Sequence, residues 1–208
     1  MAIVAARAVT LPDRTPLWIR SAQHGDEAAL IQLREDLVAS NPFQVSSPRD
    51  TWSMEVASQK IETATREPGH LWLVASLGPK PGDGVVGGIH FRNGERDRIA
   101  HHGTFGIGNL AAWRGRSVGT VLIESLLDWA AAHDTIEKVC LGCFATNVKA
   151  RKLYRRLGFK TESRSRRFFK LGPGKYVDDI QMCIYVKPGV APEGFGTWVR
   201  RTGCWLCP

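Results

Sequence analysis

The chain has 208 residues, 43% of them apolar and 23% charged, the length and balance of one soluble globular domain with a sizeable core. No apolar run approaches the ~20 residues of a membrane helix, and the start lacks the charged n-region and apolar h-region of a signal peptide, so a membrane role is not expected and a cytoplasmic location is. Lys and Arg outnumber Asp and Glu by 28 to 20, a net charge of +8 that suits anionic partners such as nucleic acid, acidic proteins or a phosphorylated cosubstrate.

Residues 1–16 read as a flexible N-terminal arm, and residues 17–20 as a first strand. Leu30, Leu33 and Leu37 recur at helical spacing over residues 26–38. A second helix is expected over 53–66, stopped by Pro68 and Gly69. Strands follow at 71–77, 85–92 and about 100–110, with Asn93–Gly94 as the turn between the last two. Val118, Leu122, Leu126 and Ala130 form one apolar stripe of a helix over 118–133, and 139–144 is a short apolar run suited to a strand covered on both faces. Residues 147–157 make another helix, with Asn147 as N-cap, Gly158 just past its end, and Arg155 and Arg156 at the negative dipole end. A hairpin of 159–170 and 176–187 closes the domain over 17–187, with Ile180, Met182, Ile184 and Val186 facing inward. Residues 188–208 form a C-terminal tail carrying Phe195, Trp198 and Trp205, which either covers the domain, packs in a homodimer or stays disordered.

Five cysteines without an export signal point to reduced thiols. Two CxxC pairs are present, Cys140/Cys143 and Cys204/Cys207. The first lies on a strand, where residues three apart face opposite ways, so a shared metal is not expected.

The connection Trp113 to Thr120 joins a strand to the N-terminus of the strongest helix. A helix start leaves about four N–H groups without intrahelical partners at its positive end. The small residues Gly115, Ser117 and Gly119 let a phosphate approach that backbone, and Arg114 and Arg116 add charge beside it. The Gly-Lys-Ser/Thr ending of a P-loop is absent, and the segment follows an antiparallel hairpin, unlike the dinucleotide fingerprint. Glycines serving only tight packing are the alternative to a pyrophosphate site.

Arg114-Gly115-Arg116-Ser117-Val118-Gly119 resembles the cofactor loop of the GNAT superfamily of acyl-CoA-dependent N-acetyltransferases, Gln/Arg-x-x-Gly-x-Gly/Ala, with serine at 117 where glycine is usual. Asn147 to Phe159 is similar to that family's Asn-x-x-Ala-x-x-x-Tyr-x-x-x-Gly-Phe helix, and 176–182 has the look of its closing strand. The resemblance covers residues 17–187. It implies an α+β fold with a mixed, mostly antiparallel seven-stranded sheet flanked by about four helices, and acetyl-CoA lodged between strands near 104–110 and 139–144. It implies cosubstrate contacts from Asn109, Leu110, Arg114, Gly115, Arg116, Ser117, Val118, Gly119, Thr120, Asn147, Ala150 and Tyr154. It also implies that Tyr154 reaches the CoA sulfur and protonates the leaving thiolate, where the residue alone would better suit an anchor of the helix to the sheet.

A primary amine attacks only when neutral, so a base or a water chain must take its proton. Residues 99–110 hold no Asp or Glu. His101 and His102 stand there instead, with His90 on the preceding strand and Glu62 further off as alternatives. The expected activity is direct acetyl transfer to an amine acceptor, a small molecule or a protein, without a metal or covalent intermediate. A non-catalytic acyl-CoA sensor or interaction module of the same fold is the alternative. The basic run Arg151, Lys152, Arg155 and Arg156, with Arg164, Arg166 and Arg167, keeps nucleic acid as a less favoured partner.

Overall fold

The computed structural model describes residues 3–199. Among them the chain forms two compact units, residues 3–92 with 106–126 and residues 93–105 with 127–199. The described residues hold four α-helices and eight strands.

In the first unit the strands are β1 (Arg7–Thr10), β2 (Pro16–Ser21), β3 (His70–Ser76) and β4 (Val85–Asn93), antiparallel neighbours in chain order, with the second half of β5 (His102–Asn109) beyond β4. Eight strands replace the expected seven because β1 forms inside the segment read as a loose arm. Its period-2 signal is short: Val9 and Leu11 are buried while Ala8 and Thr10 are exposed, and Arg7 to Thr10 pair with Ile19 to Pro16. Helices α1 (Glu27–Ser40) and α2 (Met54–Arg66) bury Leu30, Leu33 and Ile61 with Trp72, Val74 and Val85. Ser53 caps α2 by accepting the Val56 N–H, as its residue type predicts.

At the entry to α1 the fully buried Arg20 grips Asp26 with two bonds, 2.6 and 2.8 Å. Burial pushes the Asp26 carboxyl up, but Arg20 and the N–H groups of Gln23 and Gly82 outweigh it and hold the pKa below the ordinary value. Arg20 also donates to the Lys80 carbonyl, so one ion pair fixes the helix entry to the 77–84 loop.

In the second unit the order is β5-β6-β8-β7, with β6 (Lys138–Phe144), β7 (Lys160–Gly172) and β8 (Lys175–Tyr185). β5 and β6 pair in parallel over His102 to Thr104, the other pairs antiparallel. A parallel pair needs a crossover, which α3 (Val118–Ala132) supplies. The link from β4 to β5 is longer than the expected Asn93–Gly94 turn. β4 continues through Asn93, and a 3₁₀ turn over Asp97–Ile99 intervenes, because the polar run 93–98 has no apolar side chain to extend the pairing.

Helix α4 (Val148–Arg156) follows β6. The described part of the tail packs on its own unit: Trp198 donates to the Tyr185 carbonyl and to Asp128, and Phe195 sits edge-on to Tyr185. Trp205, Cys204 and Cys207 lie outside the described residues.

Candidate active site

The cradle is built in the first unit. β5 ends at Asn109, a 3₁₀ turn covers Ala111–Trp113, and Gly115 (φ 77) and Ser117 (φ 71) both take left-handed conformations before α3 begins at Val118. The Ser117 carbonyl accepts the Val121 N–H at 3.1 Å, which places Ser117 at the N-cap of α3. A Cβ on Gly115 would meet no described heavy atom within 4 Å, so the space beside the loop is open. Alternating left- and right-handed residues turn successive N–H groups toward one side, the concavity that suits a phosphate at a helix start.

The structure ties both cradle arginines to the protein. Arg114 donates to the Ser40 carbonyl at 3.0 Å and to Asp36 and Ser40 side chains, where it caps the negative end of α1. Arg116 bonds Asp13 at 2.8 Å and Thr15 at 2.6 Å, with its guanidinium 4.3 Å from the Trp113 ring centre. Asp13 is held at about 2, by its bonds with Thr15 first and Arg116 next. The arginines therefore brace the loop, and the backbone is the part of the cradle that presents donors outward.

Asn109 ties β5 to the helix start when its amide is assigned the orientation that satisfies both polar atoms, with Oδ1 accepting the Gly119 N–H at 3.2 Å and Nδ2 donating to the Gly108 carbonyl at 2.9 Å. Leu110 gives its N–H to the Val86 carbonyl and packs its side chain on the α1–α2 core. Gly87 on β4 is a position that the sequence reading passed over. A Cβ there would overlap the Asn109 amide and press within 3.2 Å of Val118, so glycine lets the cradle close onto β4. The signal was a paired glycine, Gly87–Gly88, inside the apolar first half of the strand, Val85 to Ile89.

In the second unit, Asn147 accepts the Ala150 N–H at 3.2 Å and caps α4. Gly158 follows the helix at φ 98. Tyr154 is 7% exposed, in a trio of edge-on rings with Phe105 and Phe159 at centroid distances of 6.2 and 6.0 Å. Burial first, and the neighbouring Cys143 second, push its phenol well above the ordinary range, so it stays a proton donor throughout neutral pH. Burial likewise lifts the Cys143 thiol to about 11, and its sulfur lies 3.7 Å from the Ile180 carbonyl: a protonated packing thiol. Cys140 and Cys143 are both buried on β6, and among the described residues no group of three or more His, Cys, Asp or Glu side chains is arranged to hold a metal.

His101 and His102 stand edge-on to each other at 5.0 Å where β5 begins, and His102 lies in register with Lys138. Burial, then the charges of His101 and Lys138, lower the His102 pKa. The His101 carbonyl accepts from Glu137 and Lys138, bracing the start of β6. Thr120 is half-buried in the first turn of α3. Glu62, on α2, stands 3.8 Å from His24 and 4.0 Å from Arg66. His90 lies on β4 within the first unit.

A model of the acetyltransferase (GNAT) family matches residues 30–159. The chain is 30% identical over 167 residues to the L-amino acid N-acetyltransferase AaaT of Escherichia coli (strain K12), covering 79% of this chain and 95% of that protein. Its fold is similar to an acetyltransferase of the GNAT family from Streptococcus pneumoniae, with TM-score 0.76 and 22% identity over 81% of this chain and 99% of that one. It is also similar to yncA, a putative acetyltransferase from Salmonella typhimurium solved with its cofactor acetyl-CoA, with TM-score 0.72 and 19% identity over 86% and 98%.

Proposed function

The chain belongs to the acetyltransferase (GNAT) family, and from that premise we propose that it moves an acetyl group from acetyl-CoA directly to the primary amine of a small amino-acid-like acceptor. The observation that carries the reading is the cradle: two left-handed residues, Gly115 and Ser117, leading into α3 with open space beside them. That backbone suits the pyrophosphate of the acyl donor, with the N–H groups from Gly115 to Val118 as donors. The acceptor class is supported by the resemblance to a relative that is an L-amino acid N-acetyltransferase.

The cosubstrate brings the activated thioester, and the chain supplies placement and proton management. The backbones of Asn109 and Leu110 are assigned to the pantetheine arm. Tyr154 is assigned the proton given to the departing thiolate, an assignment that rests on its place in the family helix and on a phenol that burial keeps protonated at neutral pH. Direct transfer is supported by Cys143, whose protonated thiol is a poor nucleophile.

A second reading, an acyl-CoA sensor without turnover, draws on the engagement of Arg114 and Arg116 with protein partners and on the lack of a carboxylate on β5. Nucleic acid is disfavoured because Arg151 donates to the Ala145 carbonyl and Arg164 pairs with Asp178 at 2.6 Å. Calorimetry with acetyl-CoA, followed by CoA release over amino acids, peptides and charged tRNA, tests the proposal. Binding with turnover of an amino acid is expected; binding with no turnover would establish the sensor, and no binding would overturn both.

A further inference from the structure

β4 and β5 carry an unusual run of side-chain-free positions on the face covered by α1 and α2. A Cβ on Gly88 would touch Leu33 and the Trp72 indole at 3.5 Å, and one on Gly108 would overlap Leu37 of α1. Between these lies His90. It sits in register with Trp72 on β3, the rings edge-on at 6.4 Å, and Trp72 meets Trp52 edge-on at 5.8 Å. On the β5 side, a Cβ on Gly106 would overlap the imidazole. Trp72, His90 and Gly106 thus form one row across three strands, and the missing side chain at 106 makes room for the ring.

His90 is an exposed residue of β4 whose ring is edge-on to Trp72 and lies against the backbone of Gly106. Burial first, then the charges of Lys60 on α2 and Arg92 on its own strand, hold its pKa down to about 4. The ring is therefore neutral at pH 7, with a lone pair available.

We propose that His90 accepts the proton released by the acceptor amine, and that Lys60, 5.2 Å from the Trp52 ring that abuts Trp72, and Arg92, two residues on along β4, select an acceptor that carries a carboxylate. The inference rests on the acetyltransferase reading above and adds to it the base and the acceptor's second functional group. In the step, the amine nitrogen forms a bond to the thioester carbonyl carbon, and the C–S bond breaks with its electron pair on sulfur. The proton leaving nitrogen moves to the His90 ring and thence to water, while the thiolate takes a proton from Tyr154 or water. The amine in the tetrahedral adduct is far more acidic than a free alkylammonium, so a weakly basic imidazole suffices there. An incoming carboxylate would offset the charges of Lys60 and Arg92 that depress the ring, so binding the right acceptor raises the proton affinity of the base. His101 and His102, at the start of β5, have no place in this row.

The test compares the wild type with His90→Gln, His90→Ala, Lys60→Met and the double variant His101→Gln/His102→Gln, using the standard L-amino acids and their methyl esters as acceptors. Wild type should prefer acids over esters, and Lys60→Met should raise KM for the acid by about tenfold while leaving the ester unchanged. His90→Gln should lower kcat by about 10²-fold with acetyl-CoA affinity kept, and free imidazole should restore part of the rate to His90→Ala. The double variant should keep its rate. In the folded wild type, the imidazole resonance of His90 should titrate well below pH 6, and its midpoint should rise when a carboxylate-bearing amine is added. Turnover of His90→Gln at the wild-type rate, or a midpoint indifferent to the amino acid, would overturn the inference while leaving the acetyltransferase reading intact. Absence of any wild-type turnover would overturn that reading and this inference with it.

Discussion

The two segments that carry the family pattern behave differently. From Asn147 to Phe159 each residue takes the local role its type predicts: Asn147 caps, Gly158 adopts φ 98, and Phe159 is fully buried. From Arg114 to Thr120 the backbone follows the pattern, but Ser117 holds a glycine-like φ of 71 and both arginines turn to protein partners. Helix capping is decided by a few adjacent residues, so sequence spacing predicts it well. The direction of an arginine depends on acceptors brought from elsewhere in the chain, here Asp13, Thr15, Asp36 and Ser40, which spacing does not reveal.

The sharpest way to break the comparison is at Tyr154. If the helix is functional as well as well-formed, Tyr154→Phe should lower kcat by about 10²-fold, read by CoA release. The ring remains with Phe105 and Phe159, so melting should hardly change below pH 9. An unchanged kcat would make Tyr154 an anchor and no more. The alkaline limit offers an independent reading. A phenol whose folded pKa exceeds its unfolded value of 10.0 binds its proton more tightly when folded, so the associated stability is full below pH 10 and lost as pH rises further. The melting temperature of wild type should therefore fall more steeply above pH 10 than that of Tyr154→Phe.

The cradle should respond most to a residue outside the pattern. Gly87→Ala forces the Asn109 amide away and strips the acceptor from Gly119, loosening the start of α3. Losing one such hydrogen bond should weaken acetyl-CoA binding by about tenfold, measured by calorimetry. Unchanged affinity would mean that the cradle is held by the Arg114 and Arg116 braces alone.

These contrasts also mark what was legible in the sequence. Helical periodicity, turn residues and capping types located α1 to α4 and seven strands within a residue or two, because each is set by local propensity and by one buried face. β1 was missed since only Val9 and Leu11 mark it, too few for a period-2 pattern. The Arg20–Asp26 pair was also invisible: neither residue type signals complete burial, and the loop that completes the cage arrives about sixty positions later. Among the histidines, position on the strand before the cradle favoured His101 and His102, whereas the base proposed above, His90, lies one strand earlier. Its signal was indirect, a glycine at 106 opposite a large side chain on the neighbouring strand.

A smaller effect should come from the helix cap. Asn147→Ala removes the acceptor of the Ala150 N–H and should destabilise the protein by about 1 kcal/mol in urea unfolding. A loss below a few tenths would mean that α4 is held by Tyr154 and Phe159 packing without help from its cap.

The smallest expected change, and the most informative about the cradle, is at Ser117. A left-handed conformation costs an L-residue with a Cβ about 1–2 kcal/mol, while glycine adopts it freely but loses more entropy on folding. The two effects leave Ser117→Gly more stable by about 0.5–1 kcal/mol. If serine persisted merely because the loop tolerates it, affinity for acetyl-CoA would stay level or improve with the relaxed backbone. If instead its hydroxyl at the N-cap of α3 donates to the bound phosphate, the glycine variant should be the more stable protein and the weaker binder. We expect the second outcome, a stabilised variant with affinity reduced about threefold to tenfold, because a lost hydrogen bond to a charged group outweighs the gain in loop relaxation. Denaturation and calorimetry on the same two proteins separate these cases, since strain acts on folding alone whereas the hydroxyl acts only when the anion is present.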